Sequence, residues 1–291
     1  MKKIYKKCKW YLLAIVFVLF YACKPAANKY TAPEGYNFDQ PEKFNMPGSL
    51  LEISGFAFNK GDARVVYSIQ DEEGKLFRQN WDEIKQTNVR FSSRGDYEDV
   101  AIIDETVFVL KSSGTLVVFP LTEINKEQTE QVKEWKKILA KGEYEGLYAD
   151  EKNQTLYVIC KNCDVDKKSK NSSGYVLKYK ADEDSITLAN EFHINGDQLE
   201  DVGHKIKSGL KPSALAKNPR TGEWYMLSSV HKLLVIADPD WKIKAAHQLS
   251  SSTFNQPEGI AFDKDFNLYI SNEGDEITSG NILKFNYAPL K

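Results

Sequence analysis

The chain has 291 residues, 42% of them hydrophobic and 27% charged, with a mean hydropathy of -0.48. That balance excludes a disordered chain, which needs fewer apolar residues, and a multi-span membrane protein, which needs far more. Formal net charge is -2, but five lysines and no acid fall within residues 1–22, which leaves 34 basic against 41 acidic residues in the rest. Such an acid surplus opposes a polyanionic partner such as nucleic acid and favours a cation.

Met1–Lys9 is cationic and Trp10–Ala22 is an unbroken apolar run of thirteen residues. A membrane-spanning helix needs about 20 apolar residues, whereas a shorter run suits the core of an export signal. The run closes at Leu19-Phe20-Tyr21-Ala22-Cys23, and a small residue before that cysteine resembles the bacterial lipoprotein signal. The resemblance implies cleavage behind Ala22, acylation of Cys23 (palmitate among the chains) and anchoring to a membrane of the cell envelope. An uncleaved anchor and ordinary secretion are the alternatives. Residues 23–47 read as a tether and 48–291 as the fold.

Five segments then match one another: Ile53-Ser54-Gly55-Phe56-Ala57, Tyr97-Glu98-Asp99-Val100-Ala101, Tyr144-Glu145-Gly146-Leu147-Tyr148, Pro212-Ser213-Ala214-Leu215-Ala216 and Pro257-Glu258-Gly259-Ile260-Ala261. Their second positions are spaced by 44, 47, 68 and 45 residues. Three of these spacings suit one four-stranded propeller blade, and the long one contains an insertion. Each motif is followed by an aromatic-led strand: Val65–Gln70, Thr106–Lys111, Thr155–Cys160, Glu223–Ser228 and Asn267–Asn272. A turn follows, then a third strand at Lys75–Asn80, Thr115–Leu121, Tyr175–Lys180, Lys232–Asp238 and Asn281–Asn286. Gln128–Lys141 reads as a charged helix or, preferably, a blade's outer strand.

The last motif lies 33 residues from the final residue, enough for three strands but hardly four. A segment within Phe38–Leu51 is therefore expected to supply the missing outer strand and close the ring. The predicted fold is an all-β, five-bladed propeller of four-stranded antiparallel blades. A sixth, degenerate blade inside residues 164–210 and a linear β-solenoid are the alternatives. Asn195–Leu210, with Glu200-Asp201-Val202-Gly203, reads as an insertion.

Ser-Gly or Glu-Gly followed by Leu, Ile or Phe and then Ala, recurring at blade spacing behind an export signal, resembles the SdiA-regulated family of bacterial β-propellers. That family is distantly similar to NHL-repeat propellers. The resemblance is carried by Glu52–Ala57, Asp96–Ala101, Tyr144–Tyr157 and Gln256–Ser271, and covers roughly residues 48–287. It implies a five-bladed propeller, an envelope location and a calcium ion near the channel.

If each motif starts the innermost strand of a blade, Glu98, Glu145 and Glu258 converge on one mouth of the channel, with Ser54 and Ser213 in the other two blades. Converging carboxylates either stay protonated or are neutralised by a cation. An oxygen-only donor set suits Ca²⁺ or Mg²⁺, and Ca²⁺ accepts the larger, irregular shell. The competing view has these side chains capping strand starts. The ends of the second strands reach the same face: Gln70-Asp71, Lys111-Ser112, Cys160-Lys161, Ser228-Ser229 and Asn272-Glu273. Asp71, Lys111, Lys161 and Glu273 are the leading ligand-mouth candidates among them.

Cys160-Lys161-Asn162-Cys163 reads as a local disulfide, two inert thiols or a redox dithiol; with Cys23 acylated, two cysteines exclude a four-thiolate zinc site. The four histidines, 193, 204, 231 and 247, show no paired metal spacing, and neither a nucleophile elbow nor a P-loop occurs. Three functions compete. The first is a membrane-tethered binding module with calcium at the propeller mouth and an unknown small molecule or protein as partner. The second is a metal-dependent hydrolase acting on esters or phosphoesters through the channel cation. The third is a structural envelope protein without metal.

Overall fold

Short runs of β-branched and aromatic residues between turn residues build five separate four-stranded antiparallel sheets. A computed structural model of the chain describes residues 30–81 and 86–289. Residues 1–22, expected to be an export signal, and Cys23, the expected acylation site, lie outside the described residues. From Ala32 onward the chain forms one compact unit. Among the described residues no helix is long and apolar enough to cross a membrane.

The first strand in the chain, β1 (Glu42–Asn45), belongs to the last blade. The first blade is β2 (Ile53–Ala57), β3 (Val66–Gln70), β4 (Lys75–Gln79) and β5 (Thr87–Arg90). The second is β6 (Tyr97–Ile103), β7 (Thr106–Lys111), β8 (Leu116–Pro120) and β9 (Lys133–Trp135). The third is β10 (Gly142–Asp150), β11 (Thr155–Cys163), β12 (Asn171–Lys180) and β13 (Ser185–Asn195). The fourth is β14 (Ala214–Lys217), β15 (Trp224–Ser228), β16 (Leu233–Ala237) and β17 (Ile243–Gln248). The fifth is β18 (Pro257–Phe262), β19 (Leu268–Asn272) and β20 (Asn281–Phe285), with β1 on its outer edge.

The ring closes as the shortage of residues after the last motif predicts. Glu42 lies opposite Lys284 and Asn45 opposite Asn281. The stretch read as a tether contributes more than this strand, because Tyr36 and Phe38 are buried and Phe38 packs on Phe254 and Phe285 at 5.3 and 4.7 Å.

The apolar runs are nearly continuous because both faces of every sheet are buried. Val107 and Val109 of β7 join a core with the first blade, while the alternate Phe108 and Leu110 join a core with the third. The same two-faced packing recurs around the ring, giving one apolar seam between each pair of neighbouring blades. The 68-residue spacing holds no sixth blade. It is taken up by long strands β12 and β13 and by an excursion that buries Leu199, Ile206 and Leu210 in the seam between blades three and four. Gln128–Lys141 contributes the short outer strand β9.

Candidate functional site: the acidic mouth of the channel

The inner strands β2, β6, β10, β14 and β18 stand side by side around the axis, all starting at the same mouth. Four of the five start with an irregular step. Tyr97 lies opposite Lys111 and Asp99 opposite Leu110, so Glu98 has no cross-strand partner. Tyr144 faces Cys160 and Gly146 faces Ile159, which leaves out Glu145. Pro257 faces Asn272 and Gly259 faces Ser271, which leaves out Glu258. Between Ile53 and Phe56 the register slips across Ser54 and Gly55. Ser213 precedes the first pair of β14, and its N–H donates to Leu227 O at 2.9 Å. A β-bulge leaves one residue unpaired and re-aims its side chain. Repeated in four blades, this device turns the second residue of the motif out of the blade and into the channel, and Ser213 reaches the same place from just ahead of β14.

The third motif residue is small where neighbouring blades meet. A Cβ on Gly259 would stand 2.8 Å from Ser54 O, and one on Gly146 3.0 Å from Leu215 N. Blade two departs from this with Asp99. Its buried carboxylate accepts the Val100 N–H at 2.8 Å and, across the blade boundary, the Leu147 N–H at 2.7 Å. Burial pushes this carboxyl well above the usual aspartate range. Ser213 Oγ donates to Pro257 O and Ser271 Oγ to Ser54 O, each at 2.9 Å, so two further blade boundaries are pinned at this level.

Above this belt lies a cavity of about 250 Å³. Of the residues expected from sequence, Glu98, Glu145, Glu258, Ser54, Ser213, Asp71, Lys161 and Glu273 all line it. Lys111 does not. It is paired with Tyr97, its ammonium lies 5.2 Å from that ring's centre, and the next residue, Ser112, lines the cavity in its place. Asp96, Glu143 and Gln256 complete the wall and were not anticipated. Each stands two residues before the second motif position, where all five repeats carry a polar side chain: Glu52, Asp96, Glu143, Lys211 and Gln256.

Seven carboxyls (Asp71, Asp96, Glu98, Glu143, Glu145, Glu258 and Glu273) thus surround a single lining lysine. Lys161 donates a hydrogen bond to Glu145 and lies 3.8 Å from Glu143. Burial works to lower the Lys161 ammonium, but contact with Glu145 outweighs it and the net shift is upward. One lysine does not neutralise the ring. Burial, with Glu145 and Asp96 beside it, pushes Glu98 up to about 9. Burial and the charges of Glu273 and Glu145 push Glu258 up to about 8. Burial and Asp71 push Glu273 up to about 7, and burial and Glu52 raise Asp71 to about 6. Glu145 is also raised, because burial outweighs its lysine.

The donor set fits a hard cation. It is all oxygen, and two of its buried atoms, Glu145 Oε2 and Asp71 Oδ1, have no hydrogen-bond partner. Among the described residues no three acidic, histidine or cysteine side chains stand close enough to hold a metal ion in their present positions. Cys160 and Cys163 form a disulfide that brackets Lys161. No histidine lines the cavity among the described residues, and His231 Nε2 instead lies 3.2 Å from Gly209 O.

Fold and site together define a five-bladed β-propeller with an acidic channel mouth. The model of the SdiA-regulated family matches residues 31–276, and the chain belongs to that family. No curated protein matches the sequence. Among solved structures, a luciferin-regenerating enzyme is similar in fold with a TM-score of 0.51 and 9% identity, covering 85% of this chain and 95% of that one. A nidogen/laminin complex is similar with a TM-score of 0.49 and 15% identity, covering 76% of this chain and 72% of that one.

Proposed function

We propose that this propeller is an exported binding module, tethered to a membrane of the cell envelope through Cys23, whose acidic mouth takes up a divalent cation. Calcium is the cation that this donor set suits best, because it tolerates a wide, irregular shell of carboxylates, hydroxyls and water. Glu98, Glu145 and Glu258 would hold it, with Asp71 and Glu273 beside them, and the filled mouth would present a surface to a small molecule or protein. The observation that carries the reading is the convergence of seven carboxyls on one lysine, with two buried oxygens left unpartnered.

The test is thermal unfolding with calcium and with chelator. Calcium raises the melting temperature of the wild-type protein, and Glu98→Gln/Glu145→Gln/Glu258→Gln abolishes the rise; an unchanged wild-type melting temperature rejects the reading. For the anchor, Cys23→Ser releases the protein from the membrane fraction. A hydrolytic reading draws on carboxyls near neutrality, Glu258 at about 8 and Glu273 at about 7, which suit a general base. Ester or phosphoester turnover that chelator abolishes would put that reading first.

A further inference from the structure

The repeat has two positions that the acidic mouth does not use. The fourth and fifth motif residues line a second cavity, of about 530 Å³, at the opposite end of the channel. Four repeats place an alanine at the fifth position, Ala57, Ala101, Ala216 and Ala261, and the third blade places Tyr148 there. Small side chains at these points leave the space open where leucine or phenylalanine would fill it. Ligand cavities measure about 300–1,000 Å³ and have mostly apolar walls with a few placed polar groups. The dimensions and lining of this one agree.

Its rim is polarised. Lys60, Lys152 and Lys264 reach it from the turns after the inner strands and Lys217 from the end of β14; none of the four forms a close ion pair among the described residues, although the charge of Lys264 also acts on Asp62. Lys217 instead lies over the Trp224 ring at 4.9 Å. The acids on the same rim hold the turns themselves. Asp150 accepts from Asn153, Glu151 from the Asp104 N–H, and buried Asp263 from Asn267 and Tyr269.

We infer that this mouth is a binding site for a compact anionic amphiphile: an aromatic or aliphatic body seated against the alanine ring, and one carboxylate or sulfonate facing the lysines. The site is independent of the cation proposed for the other mouth. The apolar wall supplies affinity, and the unpaired ammoniums supply the preference for an acidic head.

The probe is 8-anilinonaphthalene-1-sulfonate, with uncharged N-phenyl-1-naphthylamine as its counterpart, titrated into the folded, calcium-loaded protein. The anionic probe binds saturably, one per chain. Lys60→Gln/Lys152→Gln/Lys264→Gln weakens it by about tenfold and leaves the neutral probe within about twofold. Ala101→Phe/Ala261→Phe excludes both probes, while the calcium shift in melting temperature persists in both variants. If the phenylalanine variant does not melt cooperatively, the lysine variant, altered at exposed side chains, decides alone. Absence of saturable binding, or equal weakening of both probes by the lysine changes, overturns the site.

Discussion

The two mouths of the channel are built from neighbouring positions of one five-residue motif, yet their chemistry is opposite. The second position supplies one mouth with three of its seven carboxyls, each re-aimed by a bulge; the fourth and fifth, back in regular register, line the other with alanine and larger apolar side chains. Between them the third position, Gly55, Asp99, Gly146, Ala214 and Gly259, belongs to neither cavity and packs blade on blade. Two residues of chain therefore carry the channel from a charged, desolvated site to an apolar one. The difference arises from a backbone irregularity as much as from side-chain choice.

Asp99 pins the second blade to the third between the two mouths, and its loss has the largest expected effect. Asp99→Ala leaves the buried Leu147 and Val100 N–H groups without their acceptor, and each such group costs about 1–3 kcal/mol. Urea denaturation is expected to show a loss of about 3 kcal/mol, of which Asp99→Asn recovers about half by keeping one acceptor.

Next in size is Lys161→Met, which touches the acidic mouth alone. Breaking a buried ion pair costs about 3–5 kcal/mol and an exposed one about 0–1, so with Glu145 buried and Lys161 half-buried the loss is about 2 kcal/mol in chelator. The same change removes the competing cation and moves the calcium midpoint to about tenfold lower concentration, read from the melting temperature.

The pH dependence comes last, because bound calcium is expected to suppress it. Glu273, Glu258 and Glu98, at about 7, 8 and 9, all lie above their unfolded value of about 4.3. The folded state thus holds more protons than the unfolded one between these values, and its stability falls as pH rises. In chelator the melting temperature is expected to fall steadily as pH rises from about 6 to about 9. Saturating calcium flattens the slope.

Blade count and ring closure are legible in the sequence because they follow from spacing. Motifs at 54, 98 and 145, and again at 213 and 258, recur at blade length, and the short run after Glu258 leaves a fourth strand to be sought earlier in the chain. The acidic ring is legible at the second motif position. The bulge that aims it is not, since a bulge has no fixed sequence mark when its residue is Glu or Ser rather than glycine. For the same reason the strand-end pair Lys111-Ser112 could not be split by eye. The pairing of Tyr97 with Lys111 turns the lysine onto the aromatic ring and the serine inward. Asp96, Glu143 and Gln256 carried a signal, a polar side chain two residues before each bulge, that emerges only once the five repeats are laid over one another. Asp99 stood inside a quoted motif, but its contact with Leu147 joins two blades and no local pattern encodes it.

The strand that closes the ring has a consequence for how the molecule is made. Asn45 leaves the ribosome long before its partner Asn281, with the other four blades made in between. Until then the fifth blade's outer place is vacant, and a waiting strand invites pairing with another chain. Glu42-Lys43-Phe44-Asn45 is suited to the delay: it is four residues long, carries two opposite charges, and stays largely exposed even in the finished ring. Annealing of these two distant strands is thus a late, long-range event, so the propeller gains its full resistance to unfolding only when the hairpin of the fifth blade has been delivered.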